Sequence, residues 1–91
     1  MASYEESLQI TCELLRRRMD IVHDIRQSDH IQRDLGLDSL AVMEFAADVE
    51  SRFAINIPTE LLEVLSTVDD VSRAIVRLVD AQQPQGGRAR P

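Results

Sequence analysis

The sequence predicts an all-α fold: three long helices and one short one, with a long loop after the first. Two observations carry that prediction. Apolar residues recur at three- and four-residue spacing in three separate stretches. Each stretch also opens on a residue that can cap a helix, and the outer two carry carboxylates in their first turn. At 91 residues the chain suffices for one small domain. Apolar residues make up 44% and aromatic residues 3%, so the core is expected to be aliphatic, with Phe45 and Phe53 as its large exceptions.

The first helix is expected over roughly Tyr4 to Arg18, with Ser3 as N-cap and Glu6 completing a capping box. Leu8, Thr11, Cys12, Leu15 and Met19 form its apolar stripe, broadened by Ile10 and Leu14. Arg16, Arg17 and Arg18 sit in its last turn, where cations complement the helix dipole. The second helix is expected from Ser39 to Phe53, capped by Asp38. Its predicted buried stripe is Leu40, Met43, Ala46, Ala47, Val49 and Phe53, with Val42 and Phe45 at the edges and Glu44, Asp48, Ser51 and Arg52 towards solvent. Pro58 keeps Ile57 extended and suits the start of a short helix over Glu60 to Val64. The last helix is expected from Val68 to Ala81, capped by Thr67, with Val68, Val71, Ile75, Leu78 and Val79 as its apolar face.

Between Met19 and Asp38 the chain is too long and too apolar for a free linker. Ile21, Val22, Ile25, Ile31, Leu35 and Leu37 are expected to pin it to the bundle as an ordered loop. From Gln82 onward apolar periodicity ends. The expected organisation is therefore a domain over residues 1–81 and a disordered tail over 82–91.

Charge narrows the function. There are 16 carboxylates against 10 arginines, with no lysine, for a net charge of −6. Such a surface repels phosphate backbones and argues against nucleic acid as a partner. Arg88 and Arg90 lie in the tail, so the folded part is more acidic still. Cys12 is alone, which excludes an intramolecular disulfide. No stretch reaches the ~20 apolar residues of a membrane span, and no secretory signal is recognisable at the N-terminus. A soluble, cytoplasmic monomer is the expectation. His23, Asp24, Asp29 and His30 match no metal-ligand spacing, and no GxSxG turn supports a hydrolase at Ser39. No catalytic residue and no metal ligand are expected, the histidines being solvated loop residues.

The run Asp34-Leu35-Gly36-Leu37-Asp38-Ser39-Leu40 sets a serine at the junction of a loop and an amphipathic helix. A hydroxyl there is exposed and sits at the positive end of the helix, which suits a phosphate ester. Asp38-Ser39 alone is ordinary capping chemistry, but the context is specific. Gly36 offers a positive-φ position, Leu35, Leu37 and Leu40 anchor the turn, and the helix ends at Phe53 ahead of an isoleucine–proline step.

The string DLGLDSLAVMEFAADVESRFAINIP resembles acyl carrier proteins throughout, and the likeness extends over residues 4–80. The resemblance implies an acyl-carrier-like four-helix bundle. It further implies 4'-phosphopantetheine, derived from coenzyme A, esterified to Ser39, with Asp38 and Leu40 completing the cofactor-binding triplet. The protein would then be a carrier and not a catalyst. Its partners would be a phosphopantetheinyl transferase and a ketosynthase, acyltransferase or other acyl-processing enzyme of a multienzyme synthase. Leu37, Met43, Glu44, Glu50 and Val64 are the residues the resemblance places against such partners. Met43 and Val64 would also border the mouth of an acyl-chain pocket. Ala41, Ser51, Arg52 and Leu37 depart from the fatty-acid members, and GLDSL is closer to polyketide carriers. A discrete polyketide or related specialised-metabolite carrier is therefore expected. A fatty-acid or aminoacyl/peptidyl carrier, an excised synthase domain and an unmodified helical interaction module remain the alternatives.

Overall fold

In the computed structural model, which describes residues 3–21 and 24–82, four helices follow one another: α1 (Tyr4–Met19), α2 (Ser39–Phe53), α3 (Thr59–Val64) and α4 (Val68–Gln82). Three of their starts are set by side chains that accept otherwise orphaned amides. Ser3 Oγ accepts from the Glu6 amide at 3.1 Å ahead of α1. Asp38 Oδ1 accepts from the Ala41 amide at 2.8 Å ahead of α2. Thr67 Oγ1 accepts from the Asp70 amide at 3.1 Å ahead of α4. At α4 the exchange is reciprocal, because Asp70 Oδ2 accepts the Ser66 and Thr67 amides in return. α3 follows Pro58 and has no side-chain cap. α1 and α2 both end on a residue in the left-handed region, Asp20 (φ 54°) and Ala54 (φ 58°). Their amides return to the Arg16 and Glu50 carbonyls.

α1 packs on α4 and on α2, and Leu15, Val49, Val68 and Ile75 are enclosed between the helices. Burying such a side chain contributes about 1.5–3 kcal/mol. Two buried serines join the first and last helices. Ser7 Oγ donates to the Ser72 carbonyl at 2.8 Å, and Ser72 Oγ donates to the Val68 carbonyl at 2.9 Å. Apolar periodicity does not mark either serine as core. They are tolerated there because each hydroxyl is paired. Thr11 is equally buried, and its Oγ1 has no partner among the described residues.

The long loop is ordered by its own backbone. The Ile31 amide donates to the Ser66 carbonyl at 2.8 Å, and the Val68 and Asp69 amides donate to the Asp29 and Gln27 carbonyls at 3.0 and 2.9 Å. These bonds stitch the loop to the start of α4. Ile31, Leu35 and Leu37 enter the core, with Ile21 and Ile25 packed against it. Val22 and His23 lie outside the described residues. His30 is not a solvated loop histidine. It is half-buried, its Nδ1 accepts from the Gln32 and Arg33 amides, and its own amide donates to Asp34 Oδ2 at 2.7 Å.

Three further expectations are corrected. In α2, Leu40 and Met43 are 64% and 62% exposed, and Ala47 is exposed as well, whereas Phe45 is buried. The core meets α2 through Phe45, Ala46 and Val49, a face rotated from the one its broad apolar stripe suggests. α1 continues to Met19 and α4 to Gln82. Gln82 is not tail: its side chain accepts the Asn56 amide at 2.8 Å and donates to the Asn56 carbonyl at 2.9 Å. That pair fastens the end of α4 to the α2–α3 connection. The expected tail beyond it lies outside the described residues.

Candidate functional site

Ser39 is the first residue of α2 and is exposed. Its position is fixed from both sides. Upstream, Gly36 takes φ +83°, a value that favours glycine. The Leu37 amide then donates to the Ile31 carbonyl at 3.2 Å, and the Leu37 side chain is 2% exposed. Downstream, Asp38 caps the helix through the Ala41 amide. Capping therefore falls to Asp38, and the Ser39 hydroxyl makes no hydrogen bond among the described residues. The Ser39 and Leu40 amides, the first two of the helix, likewise donate to nothing among the described residues. Together these amides and the helix dipole give a phosphate ester at Ser39 a favourable setting.

Beside Ser39 opens a largely apolar pocket of about 360 Å³. Ser39 itself stands on its wall, with Met43, Ala46 and Val49 of α2, Ile57, and Leu62 of α3. An uncharged chain leading from Ser39 has apolar surface to enter. Leu40 and Val64 expose their side chains outside it, and Met43, on its wall, is itself largely exposed. Val64 is 67% exposed at the end of α3 and does not itself line the pocket.

The remaining sequence candidates divide. Leu37 is core, so its side chain offers no docking surface in this conformation. Its apolar bulk instead holds the turn that aims Ser39. Glu50 is half-buried, and its Oε2 accepts the Ile57 amide at 2.7 Å, which secures the α2–α3 connection. Glu44 is exposed but accepts from Arg18 Nη1 at 2.9 Å, and the neighbouring Asp48 accepts from Arg18 Nε at 2.7 Å. The Asp48 bond, foremost, holds the Arg18 guanidinium above its ordinary pKa. Arg18 thus does more than complement the dipole of α1. This cross-helix role was invisible in the sequence because Arg18 and Glu44 are far apart along the chain.

Elsewhere, Tyr4 Oη donates to Asp69, and the Arg73 guanidinium lies over the Tyr4 ring, 5.4 Å from its centroid. Arg73 also pairs with Asp69 at 2.9 Å. The Tyr4 hydroxyl, and then Arg73, hold the Asp69 carboxyl below its ordinary pKa. Cys12 is a half-buried free thiol, and burial pushes its pKa up. That environment opposes a reactive thiolate. Among the described residues no group of three or more histidine, cysteine or carboxylate side chains could hold a metal ion. No described helix is long and apolar enough to cross a membrane.

A family profile described as a phosphopantetheine attachment site matches residues 8–75. The chain belongs to the acyl carrier proteins. It is 34% identical over 74 residues to an acyl carrier protein of Prochlorococcus marinus, covering 80% of this chain and 92% of that one. A solved chain from Mycobacterium tuberculosis, described as an acyl carrier protein, superposes with a TM-score of 0.71 at 25% identity. That match covers 82% of this carrier and 97% of the neighbour. A non-reducing polyketide synthase of Preussia isomera is 32% identical over 71 residues, which is 78% of the carrier and 3% of that synthase. Membership brings a covalently attached 4'-phosphopantetheine. It also brings partners of two kinds, a phosphopantetheinyl transferase and acyl-processing enzymes. The family's role is carriage, without catalysis of its own.

Proposed function

We propose that Ser39 is the attachment residue for 4'-phosphopantetheine, flanked by Asp38 and Leu40. From it the chain presents acyl thioesters to a ketosynthase and an acyltransferase in polyketide or related specialised-metabolite synthesis. The observation that carries this reading is the Ser39 hydroxyl itself: exposed, without a hydrogen bond among the described residues, and on the wall of an apolar pocket. When bound, the group supplies a terminal thiol on which an acyl chain is held as a thioester. The chain's own residues supply position. Gly36 and Leu37 hold the turn, Asp38 spares Ser39 from capping, and the amides of Ser39 and Leu40 face the ester. Met43, Leu62 and their neighbours shelter apolar atoms from water. No affinity for a free phosphate is needed, since the link is covalent, and the Asp38 carboxylate beside it disfavours free anions.

The pathway reading rests on sequence. Ala41, Ser51 and Arg52 stand where fatty-acid carriers commonly have other residues, GLDSL follows the polyketide pattern, and a stretch of a polyketide synthase is among the relatives. The chain would act as a cytoplasmic monomer, with Leu40, Met43 and Val64 as the apolar part of its docking surface.

The test is intact-protein mass spectrometry after incubation with coenzyme A and a broad-specificity phosphopantetheinyl transferase, beside Ser39→Ala. In the expected reaction Ser39 Oγ attacks the pyrophosphate of coenzyme A. A new phosphate ester forms, adenosine 3',5'-bisphosphate leaves, and the hydroxyl proton passes to the transferase. A single phosphopantetheinyl gain in the parent protein, absent from the variant, is the expected result. No gain in a folded sample would overturn the attachment and leave an unmodified helical interaction module. Transfer of a malonyl group to the holo protein, followed by decarboxylative extension with a polyketide ketosynthase, tests the pathway. Extension by fatty-acid enzymes alone would refute it.

A further inference from the structure

α2 carries three carboxylates, Glu44, Asp48 and Glu50, and each one meets a donor from within the chain. Arg18 serves the first two, at 2.9 and 2.7 Å, and the Ile57 amide serves the third at 2.7 Å. A guanidinium presents a planar fork of donors, and here the fork is split between two acids one turn apart. The Arg18, Glu44 and Asp48 side chains keep 31%, 50% and 34% of their surface exposed, so the cluster stays open to an approaching cation. Arg17 and Arg52 border the same surface groove, with Leu14 and Ser51. The helix that begins at Ser39 thus offers a partner exposed apolar side chains, Leu40 and Met43, and an acidic pair that is already occupied.

We propose that Arg18 is an intramolecular competitor for the basic docking residues of partner enzymes. A partner seats first on the apolar surface beside Ser39. It gains Glu44 and Asp48 only by displacing Arg18. An enzyme whose docking surface is mainly cationic is therefore disfavoured, and one with an apolar docking surface is admitted. Arg18 sets specificity through repulsion of the first kind of partner. The identity of the partners as acyl-processing enzymes rests on the carrier reading. The competition at Glu44 and Asp48 does not depend on any modification of Ser39.

The competition can be read with a fluorescent arginine-rich peptide as the cationic probe, by anisotropy at low ionic strength, where charge pairs are least screened. The parent protein is compared with Arg18→Ala, Arg18→Gln, Arg17→Ala and the triple variant R18A/E44Q/D48N. Arg17 is exposed and has no ion-pair partner among the described residues. Its loss changes net charge as the loss of Arg18 does, without freeing an acid. The ion pairs are partly exposed at the surface and the variants are expected to fold, as circular dichroism checks, with Arg18→Gln keeping most of the side chain. Both Arg18 variants should bind the peptide roughly three- to fivefold tighter, the upper end of the scale for one freed exposed ion pair. Arg17→Ala should change affinity less than about twofold, and the triple variant should lose the gain. Equal tightening in Arg17→Ala and Arg18→Ala, or none in either, overturns the proposal. A gain that persists in the triple variant overturns it too. Ser39 modification is measured separately by mass, so failure of the carrier reading and failure of the competition give different results.

Discussion

Asp38 and Ser39 are adjacent, both are ordinary capping residues, and the structure divides their work. Replacing Asp38 by alanine removes the 2.8 Å bond to the Ala41 amide, a loss of about 1 kcal/mol for an N-cap. It also removes a negative charge from a helix whose first turn has no acidic residue, at about 0.5 kcal/mol. The expected total of about 1.5 kcal/mol corresponds to a fall of about 6–12 °C in Tm for a domain this size. Asp38→Asn keeps an accepting oxygen and loses only the charge, so it should cost about 0.5 kcal/mol. Ser39→Ala breaks no hydrogen bond found among the described residues and should fall within about 0.3 kcal/mol of the parent, since alanine is a better helix former than serine. The assay is urea unfolding followed by circular dichroism, with unchanged m-values confirming that midpoints report stability. Phosphopantetheine transfer is measured on the same samples. Asp38→Ala should lose stability, whereas Ser39→Ala should keep stability and lose the mass gain. If Ser39→Ala is destabilised as much as Asp38→Ala, the serine hydroxyl has a structural role and the division of labour is wrong.

Gly36→Ala should cost about 1 kcal/mol in urea unfolding, because φ +83° is strained for any Cβ while nothing lies within 4 Å of the added atom. A loss several times larger would reveal a steric role instead. Acid stability tests the Tyr4–Asp69–Arg73 cluster. Its folded pKa is lowered, so Asp69 contributes stability that is present above the ordinary carboxylate range. That stability is lost as pH falls through the folded value. Between about pH 5 and pH 2 the urea midpoint of the parent should therefore fall more steeply than that of Asp69→Asn; parallel curves would refute the coupling.

Much of this protein is local. The caps at Ser3, Asp38 and Thr67, the positive-φ Gly36 and the limits of α2 were legible because each depends on residues within about one helical turn. The attachment candidate was legible for the same reason: a loop, a glycine, a cap and a helix start are contiguous in sequence. Apolar period alone misjudged α2, where Leu40 and Met43 face solvent and Phe45 does not. A stripe that broad fits more than one orientation, and the packing of α1 and the loop selects among them. Apolar period did not mark Ser7 or Ser72 as buried; Ser7 Oγ finds its acceptor on α4, at the Ser72 carbonyl, and Ser72 Oγ finds its own one turn back at Val68.

The sequence by itself therefore determined the helices, their caps, the acidic balance and the serine that opens α2, all of which follow from short-range backbone chemistry. Tertiary structure alone decided which face of α2 is buried and which long-range partners the polar groups take. It brought Arg18 to Glu44 and Asp48, Glu50 to Ile57, and Gln82 to Asn56. The Arg18 and Gln82 contacts join groups 26 or more residues apart, and even the seven residues from Glu50 to Ile57 cross the end of a helix. Such pairings depend on how the elements dock, and docking is a property of the packed core rather than of any window of sequence.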